Sequence, residues 1–236
     1  MYGEKDINLE RKWLGEQRAI IAVNNLQKKN INAQYCANRR EALTTLLDMI
    51  PQGASVARGD SITVEQIGII PELLNRQRNA VIDPFRWDAE GHYIDTAEDR
   101  RQMCREAFFA DIFLAGTNAV TMDGKLVNVD GLGNRVAAMI FGPEKVLLVA
   151  GVNKIVRDVD EARERIRQFA GPLNARRHYE QHHCDELADL PCVRIGRCVN
   201  CSHDWKICCY WVTIDGAALS EKGRINVVLV GEELGI

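Results

Sequence analysis

The chain has 236 residues, 46% of them hydrophobic, and sets 30 basic side chains against 33 acidic ones. This length is enough to bury one full core. The near-zero net charge gives no electrostatic reason to expect nucleic acid or an anionic membrane as partner. No apolar run is long enough to span a bilayer, and the polar opening Met1-Tyr-Gly-Glu-Lys-Asp6 lacks a secretory h-region, so the sequence predicts a cytoplasmic protein.

Trp13, Ala19, Ile20, Val23 and Leu26 recur at helical spacing and predict a first helix over about residues 7–29. A strand follows over Ile31–Cys36. Asn38, with Glu41 three positions on, opens a second helix as a capping box, and Leu43, Leu46, Leu47 and Ile50 form its core stripe. The strand Ala54–Arg58 runs straight into Gly59-Asp60-Ser61-Ile62-Thr63, a tight strand-to-helix turn with Thr63 and Gln66 as capping candidates. Pro84–Trp87 marks a loop. Thr96 and Asp99 open a helix that buries Met103, Ala107 and Phe108.

The strand Ile112–Ala115 ends in Gly116-Thr117-Asn118. Met122–Gly124 is a turn before the strand Lys125–Val129, and Asp130 to Arg135 open a helix through Phe141. Val146–Ala150 is a continuous apolar run of the kind found in a parallel sheet covered on both faces. A helix at about 158–170 puts Val159, Ala162, Ile166 and Phe169 on one side. Strands and helices thus alternate to residue 172, which predicts an α/β fold with a doubly wound, mostly parallel sheet. After Pro172 the periodicity is lost. Residues 173–210 read as a Cys-rich excursion, and 211–236 carry a closing strand, Ile225–Val230, that rejoins the sheet; the whole of 1–236 is expected to form one domain.

Six of the eight cysteines lie between Cys184 and Cys209. A reducing cytosol disfavours a disulfide framework. Cys192, Cys198, Cys201 and Cys208 follow the spacing C-x5-C-x2-C-x6-C, in which the C-x2-C pair places two thiolates on one tight turn and two more complete a tetrahedral set. Arg194, Arg197 and Lys206 favour the thiolate form. A 4Fe–4S cluster and a structural zinc both fit these ligands. The single C-x2-C knuckle, where a zinc ribbon has two, favours iron–sulfur. Cys36 and Cys104 read as packing residues, His182, His183 and His203 as solvated loop histidines, and Cys184 and Cys209 as spare or alternative ligands.

A small anionic metabolite is the expected ligand of the main domain. Gly59, Ser61 and Thr63 present amides and hydroxyls at a helix start, although simple capping by Ser61 or Thr63 explains them equally well. Gly116, Asn118, Asp123, Asp130, Gly131, Asn134 and Arg135 cluster at strand ends and a helix start, where open α/β sheets bind ligands. Arg135 is misplaced for the helix dipole and reads as a carboxylate clamp, or else as a surface partner of Asp123 or Asp130. Gly131-Leu-Gly133 lacks the third glycine of a dinucleotide fingerprint, and no ribose-binding acid follows the next strand. No residue is assigned a catalytic role.

The block from Ala110 through Gly116-Thr117-Asn118, Met122-Asp123-Gly124 and Asp130-Gly131-Leu-Gly133-Asn134-Arg135 to Pro143 resembles the signature of the LUD domain, the family of lactate-utilisation protein C. The ending Arg224–Gly235 and the cysteine segment resemble it too, so the likeness covers nearly the whole chain. It implies a fold like that of ribose-5-phosphate isomerase and the CoA transferases, with Gly59–Thr63 where such isomerases bind phosphate. The central block is also similar to the ligand-binding part of methylthioribose-phosphate isomerase. There a catalytic Asp occupies the position of Asn118, which cannot act as a general acid or base and so argues against sugar isomerisation.

The resemblance implies an iron–sulfur-associated protein of lactate or 2-hydroxy-acid utilisation. Such a protein holds a small carboxylate, passes electrons through a four-cysteine cluster and meets an electron-transfer protein partner; a homodimer suits a fold of this kind. Two other readings stay open. One is a metabolite-binding regulatory module with a structural zinc or iron–sulfur site. The other is a non-redox isomerase or cluster-assisted dehydratase.

Overall fold

The computed structural model describes residues 6–236, so Met1–Lys5 of the opening lie outside the described residues. In chain order the elements are α1 (Asn8–Gln27), β1 (Asn32–Cys36), α2 (Arg39–Asp48), β2 (Ser55–Arg58), α3 (Ile62–Ile67), α4 (Ile69–Arg76), β3 (Ala80–Ile82) and α5 (Ala97–Glu106). Then come β4 (Ile112–Gly116), β5 (Ala119–Thr121), β6 (Leu126–Asp130), α6 (Asn134–Ile140), β7 (Lys145–Gly151), β8 (Ile155–Val156), α7 (Val159–Arg165), α8 (Gly171–Gln181), α9 (Pro191–Ile195), β9 (Tyr210–Ile214) and β10 (Ile225–Val230).

The main sheet has the order β1-β10-β7-β4-β2-β3, and every neighbouring pair is parallel. The last strand thus sits between the first and the seventh. Alternation along each central strand serves two cores. Val146, Leu148 and Ala150 of β7 join Ile225, Val227 and Leu229 of β10 against Ala19, Ala22, Val23 and Leu26 of α1 and Ala138 and Met139 of α6. Leu147, Val149, Val228 and Val230 point the other way, against Leu46 and Leu47 of α2, Val64 and Ile67 of α3, and Ile69, Ile70 and Leu73 of α4. Helices on both faces of a parallel sheet make this the doubly wound α/β fold that the strand–helix alternation predicts.

A second sheet, β8-β5-β6-β9, stands beside the first. Its Ala119, Val127 and Val156 pack on Ala162 and Ile166, while Val120, Leu126 and Ile155 face the core that α1 covers. The strand β9 is absent from the sequence reading. Its sequence Tyr-Trp-Val-Thr-Ile is rich in β-formers, a signal the reading passed over by treating 173–210 and the residues after it as an excursion; three of the five side chains are exposed.

Several local readings hold in detail. Asn38 caps α2 by accepting from Glu41 N at 3.0 Å, and the Glu41 carboxylate reaches back to Ala37 N at 2.8 Å. Thr96 caps α5. Others shift. Trp13 and Ile20 are 61% and 40% exposed, because the buried face of α1 runs through Ala19, Ala22, Val23 and Leu26. Pro172 does not end the helical run. A π turn over Ile166–Ala170 joins α7 to α8, and Pro172 sits at the start of α8, where its missing N–H costs little. No helix of the described residues is long and apolar enough to cross a membrane.

Leu148 is fully buried at the sheet centre and Leu74 is 56% exposed. Leu148→Ala should therefore cost roughly 3 kcal/mol in urea denaturation and Leu74→Ala well under 1 kcal/mol. Equal losses would contradict the core assignment.

Candidate functional site

Parallel strands deliver their carboxyl ends to one edge of the sheet, and three of those ends meet here. The β2–β4 pairing runs past Arg58, with Gly59 N donating to Leu114 O at 2.9 Å. The chain then turns at Asp60, and Ser61 Oγ caps α3 by accepting from Val64 N at 3.3 Å. Gly116 at the end of β4 lies so close that a Cβ there would stand 2.6 Å from Ser61 Oγ and 3.7 Å from Thr63 Oγ1. After β7 a short turn brings Lys154 Nζ to Thr63 Oγ1 at 2.9 Å. Gly59, Ser61, Thr63 and Gly116 are thus gathered in one place, with Lys154 added to them.

Arg135 closes one wall, its stem against Gly59. Its guanidinium is already spent. Nη1 donates to Gly116 O at 3.1 Å and Asn128 Oδ1 at 2.7 Å, and Nη2 donates to Asn118 Oδ1 at 3.0 Å and Val129 O at 2.7 Å. The arginine fixes the β4–β6 crossing and has no free fork to offer. Asn118 is held the same way: its Oδ1 also accepts from Val129 N at 2.9 Å, and its main-chain oxygen accepts from Arg165 Nη1 at 2.8 Å.

The remaining expected residues divide. The Asp130 carboxylate accepts from Leu132 N, Gly133 N and Val136 N, closing the turn into α6. Gly131 lies against the main chain of Ile207 in the cysteine segment, and Asn134 Nδ2 points to Cys104 Sγ at 3.4 Å. Asp123 stands apart from the cleft, paired with Lys125 on the β5–β6 turn near Lys29.

Beside these residues lies a cleft of about 410 Å³ between Ile62, Trp87, Leu173, Arg177 and His182. Glu65 is its acidic lining residue, and Asp60 lies behind Arg177. Arg177 pairs with Asp60 Oδ2, His178 Nε2 lies 3.3 Å from the same oxygen, and Oδ1 has no partner among the described residues. Burial pushes the Asp60 carboxyl up, but His178 and Arg177 outweigh it and hold the group well below the usual carboxylate range. His182 stacks on Trp87 with ring centroids 4.1 Å apart and meets Arg177 Nη1 at 3.2 Å.

The sequence reading misses Arg177 and His178 and takes His182 for a solvated loop histidine, because it ends the helix at Pro172; His182 instead closes α8 against Trp87. The i, i+4 spacing of His178 and His182 was the available signal. It also misses Lys154, a lone cation within the apolar stretch Gly151–Val156.

The excursion after α8 packs on a small apolar knot of Ala175, Leu187, Leu190 and Val193, against which Cys184, Cys192, Cys201 and Ile207 rest. All eight cysteines are free thiols. Burial pushes the Cys192 thiol up, and the charges of Cys201, Cys208 and Cys198 push it further. Cys208 is raised by burial and then by Cys198 and Cys201. The four thiols therefore share one neighbourhood. No three His, Cys, Asp or Glu side chains of the described residues form a metal-holding group.

Cys36 is buried beside Thr45, Cys104 is half-buried, and Cys209 is exposed. The segment is tied to the cleft through β6. Asp130 O accepts from Cys209 N at 2.9 Å, and β9 continues along β6 in antiparallel register from the pair Asp130–Tyr210.

Fold and site together define an α/β protein with a cleft at the carboxyl edge of a parallel sheet and a thiol-bearing excursion clamped beside it. A family model for the LUD domain matches residues 21–230, and the chain belongs to that family, which associates it with lactate utilisation. Among solved structures it is similar to a DUF162 family protein from Deinococcus radiodurans, at 14% identity and TM-score 0.49 over 92% of this chain and 97% of that one. It is similar to ribose 5-phosphate isomerase from Plasmodium falciparum at 14% identity and TM-score 0.32, over 50% of this chain and 52% of that one. It is also similar to eIF2B delta from Chaetomium thermophilum at 16% identity and TM-score 0.32, over 64% and 54%. No curated protein matches the chain.

Burial first, then Arg165 and Arg135, push Lys154 from the ordinary 10.5 down to about 7. The unfolded chain therefore binds a proton that the folded chain releases between about pH 7 and 10.5, and this side chain makes stability rise with pH across that window. Lys154→Met keeps the length without the charge. It should flatten that rise and melt above the parent protein near neutral pH, which thermal denaturation across the window checks. An unchanged slope would mean that Lys154 keeps its proton on folding.

Proposed function

We propose that this LUD-family protein is a redox component of 2-hydroxy-acid utilisation. In this reading a small carboxylate such as lactate or pyruvate occupies the cleft beside Ser61, Thr63 and Asn118, and Cys192, Cys198, Cys201 and Cys208 hold a 4Fe–4S cluster. The observation that carries the reading is the four-thiol neighbourhood. Burial first, then the neighbouring thiols, push the Cys192 and Cys208 thiols up, an arrangement that a bound cation would relieve. Four thiolates suit a cubane cluster, which supplies one-electron transfer when bound. An electron-transfer protein is then the natural partner.

This chain's own residues supply the rest. The knot of Leu187, Leu190 and Val193 positions Cys192 on α9. The β6–β9 pairing fixes the far end of the loop next to Cys208 and Cys209. Arg135, through Asn118 and Asn128, holds the end of β4 rigid beside the ligand position.

Protein purified anaerobically should be brown, carry about four iron atoms per chain and give a paramagnetic signal on reduction. Cys198→Ser or Cys208→Ser should lose most of the iron, whereas Cys36→Ser and Cys209→Ser should keep it. Colourless protein with stoichiometric zinc would end the electron-transfer reading and leave a structural staple. Full iron retention in Cys192→Ser would indicate three-cysteine ligation with an open iron, as a dehydratase needs.

A further inference from the structure

Lys154 is 4% exposed, and among the described residues its only partner is the hydroxyl of Thr63. The charges that act on it are both positive, Arg165 on α7 and Arg135 on α6. The other buried cations nearby are answered. Arg58 meets Glu65 and Asp83, Arg177 meets Asp60, and Arg135 has four oxygen acceptors with Asp130 3.8 Å away. An ammonium buried without a counter-charge costs several kcal/mol, so either a ligand answers it or the amine sheds its proton.

The groups around it are donors without acceptors. Ser61 Oγ accepts from Val64 N and Thr63 Oγ1 accepts from Lys154 Nζ, and neither hydroxyl donates to any described residue. Each still has its proton to give, and Lys154 has two more N–H groups. Gly116 brings the two hydroxyls together: one Cβ position there would touch both. Gly235 lies over the ammonium, where a Cβ would stand 2.9 Å from Nζ. Four unspent donor hydrogens, with no acid among the charges that act on the amine, suit an oxyanion.

We propose that Lys154 is an anion receptor at the carboxyl edge of the sheet, beside the cleft, its ammonium binding the carboxylate of a 2-hydroxy- or 2-oxo-acid together with the Ser61 and Thr63 hydroxyls. This deepens the reading of the cleft as a carboxylate site and rests on it. Arg135, the expected clamp, is a positioning residue. Ligand binding is then coupled to a proton. At rest the amine is half-neutral near pH 7, and a bound carboxylate favours the charged form, so Lys154 takes up a proton as the acid binds. Above about pH 7 affinity falls roughly tenfold per pH unit.

Titration calorimetry on the full-length protein tests this, with pyruvate, L-lactate and inorganic phosphate as probes. Each is run near pH 8.5 in two buffers of different ionisation enthalpy, on the parent, Lys154→Met and Thr63→Val. The parent should bind at least one of the two acids and take up close to one proton. Lys154→Met should weaken that binding about 30-fold or more, and Thr63→Val by several-fold. Parent binding without proton uptake, or with unchanged affinity in Lys154→Met, overturns the role of Lys154 and leaves the carboxylate reading standing. Failure of the parent to bind either acid overturns both. Binding of phosphate alone overturns the assignment to a carboxylate. The proton uptake is measured on the parent and does not depend on any variant folding.

Discussion

The insertion of the last strand, β10, between β1 and β7 is the constraint on which the molecule depends. It makes all six strands of the main sheet parallel, so every carboxyl end lies on one edge. The turns after Arg58, Gly116, Gly151 and Val230 have no choice but to converge there. Ser61, Thr63 and Lys154 come from segments up to 93 positions apart in the chain, yet their polar atoms lie within hydrogen-bonding reach of one another or of one glycine. Such convergence is a property of topology before it is a property of any side chain.

The same edge explains the division of labour among the polar groups. Arg135, Asn118, Asn128 and Asp130 satisfy one another and the backbone and hold the turns rigid. Ser61, Thr63 and Lys154 are left with donors to spare. A site of this kind separates residues that hold the frame from residues that meet a ligand, which is how preorganisation is achieved without mobile side chains.

The central strands and capped helices were legible in the sequence because each carries a local signal. Val146–Ala150 is apolar throughout, Asn38–Glu41 is a capping box, and Gly116 follows a strand. The turn residues Gly59, Ser61, Thr63 and Gly116 follow strand ends in the sequence, and the fold brings them to one place. What failed needed information from distant parts of the chain. Arg135 reads as a free clamp until its four acceptors, on β4, on β6 and on the turn after β4, are in view. Lys154 has no role in the sequence reading, because Thr63, against which it packs, is 91 residues away. Tyr210–Ile214 had a strand signal of its own, but its partner β6, 80 positions earlier at Asp130, was not visible from it. Pro172 reads as a stop, and only the π turn before it shows why the helix continues.

That π turn, Ile166–Ala170, has a wider consequence. A π turn holds one residue more than the α-helical path it replaces, and so advances everything after it by about 100° around the axis. Arg177 and His178 face Asp60 only in that rotated phase. Losing a single residue between 166 and 170 would straighten the rod and swing both side chains away from the Asp60 carboxylate without altering any of the participants. The bond between the two halves of the cleft is in this sense a matter of counting, set by the length of a helix rather than by the chemistry of its residues.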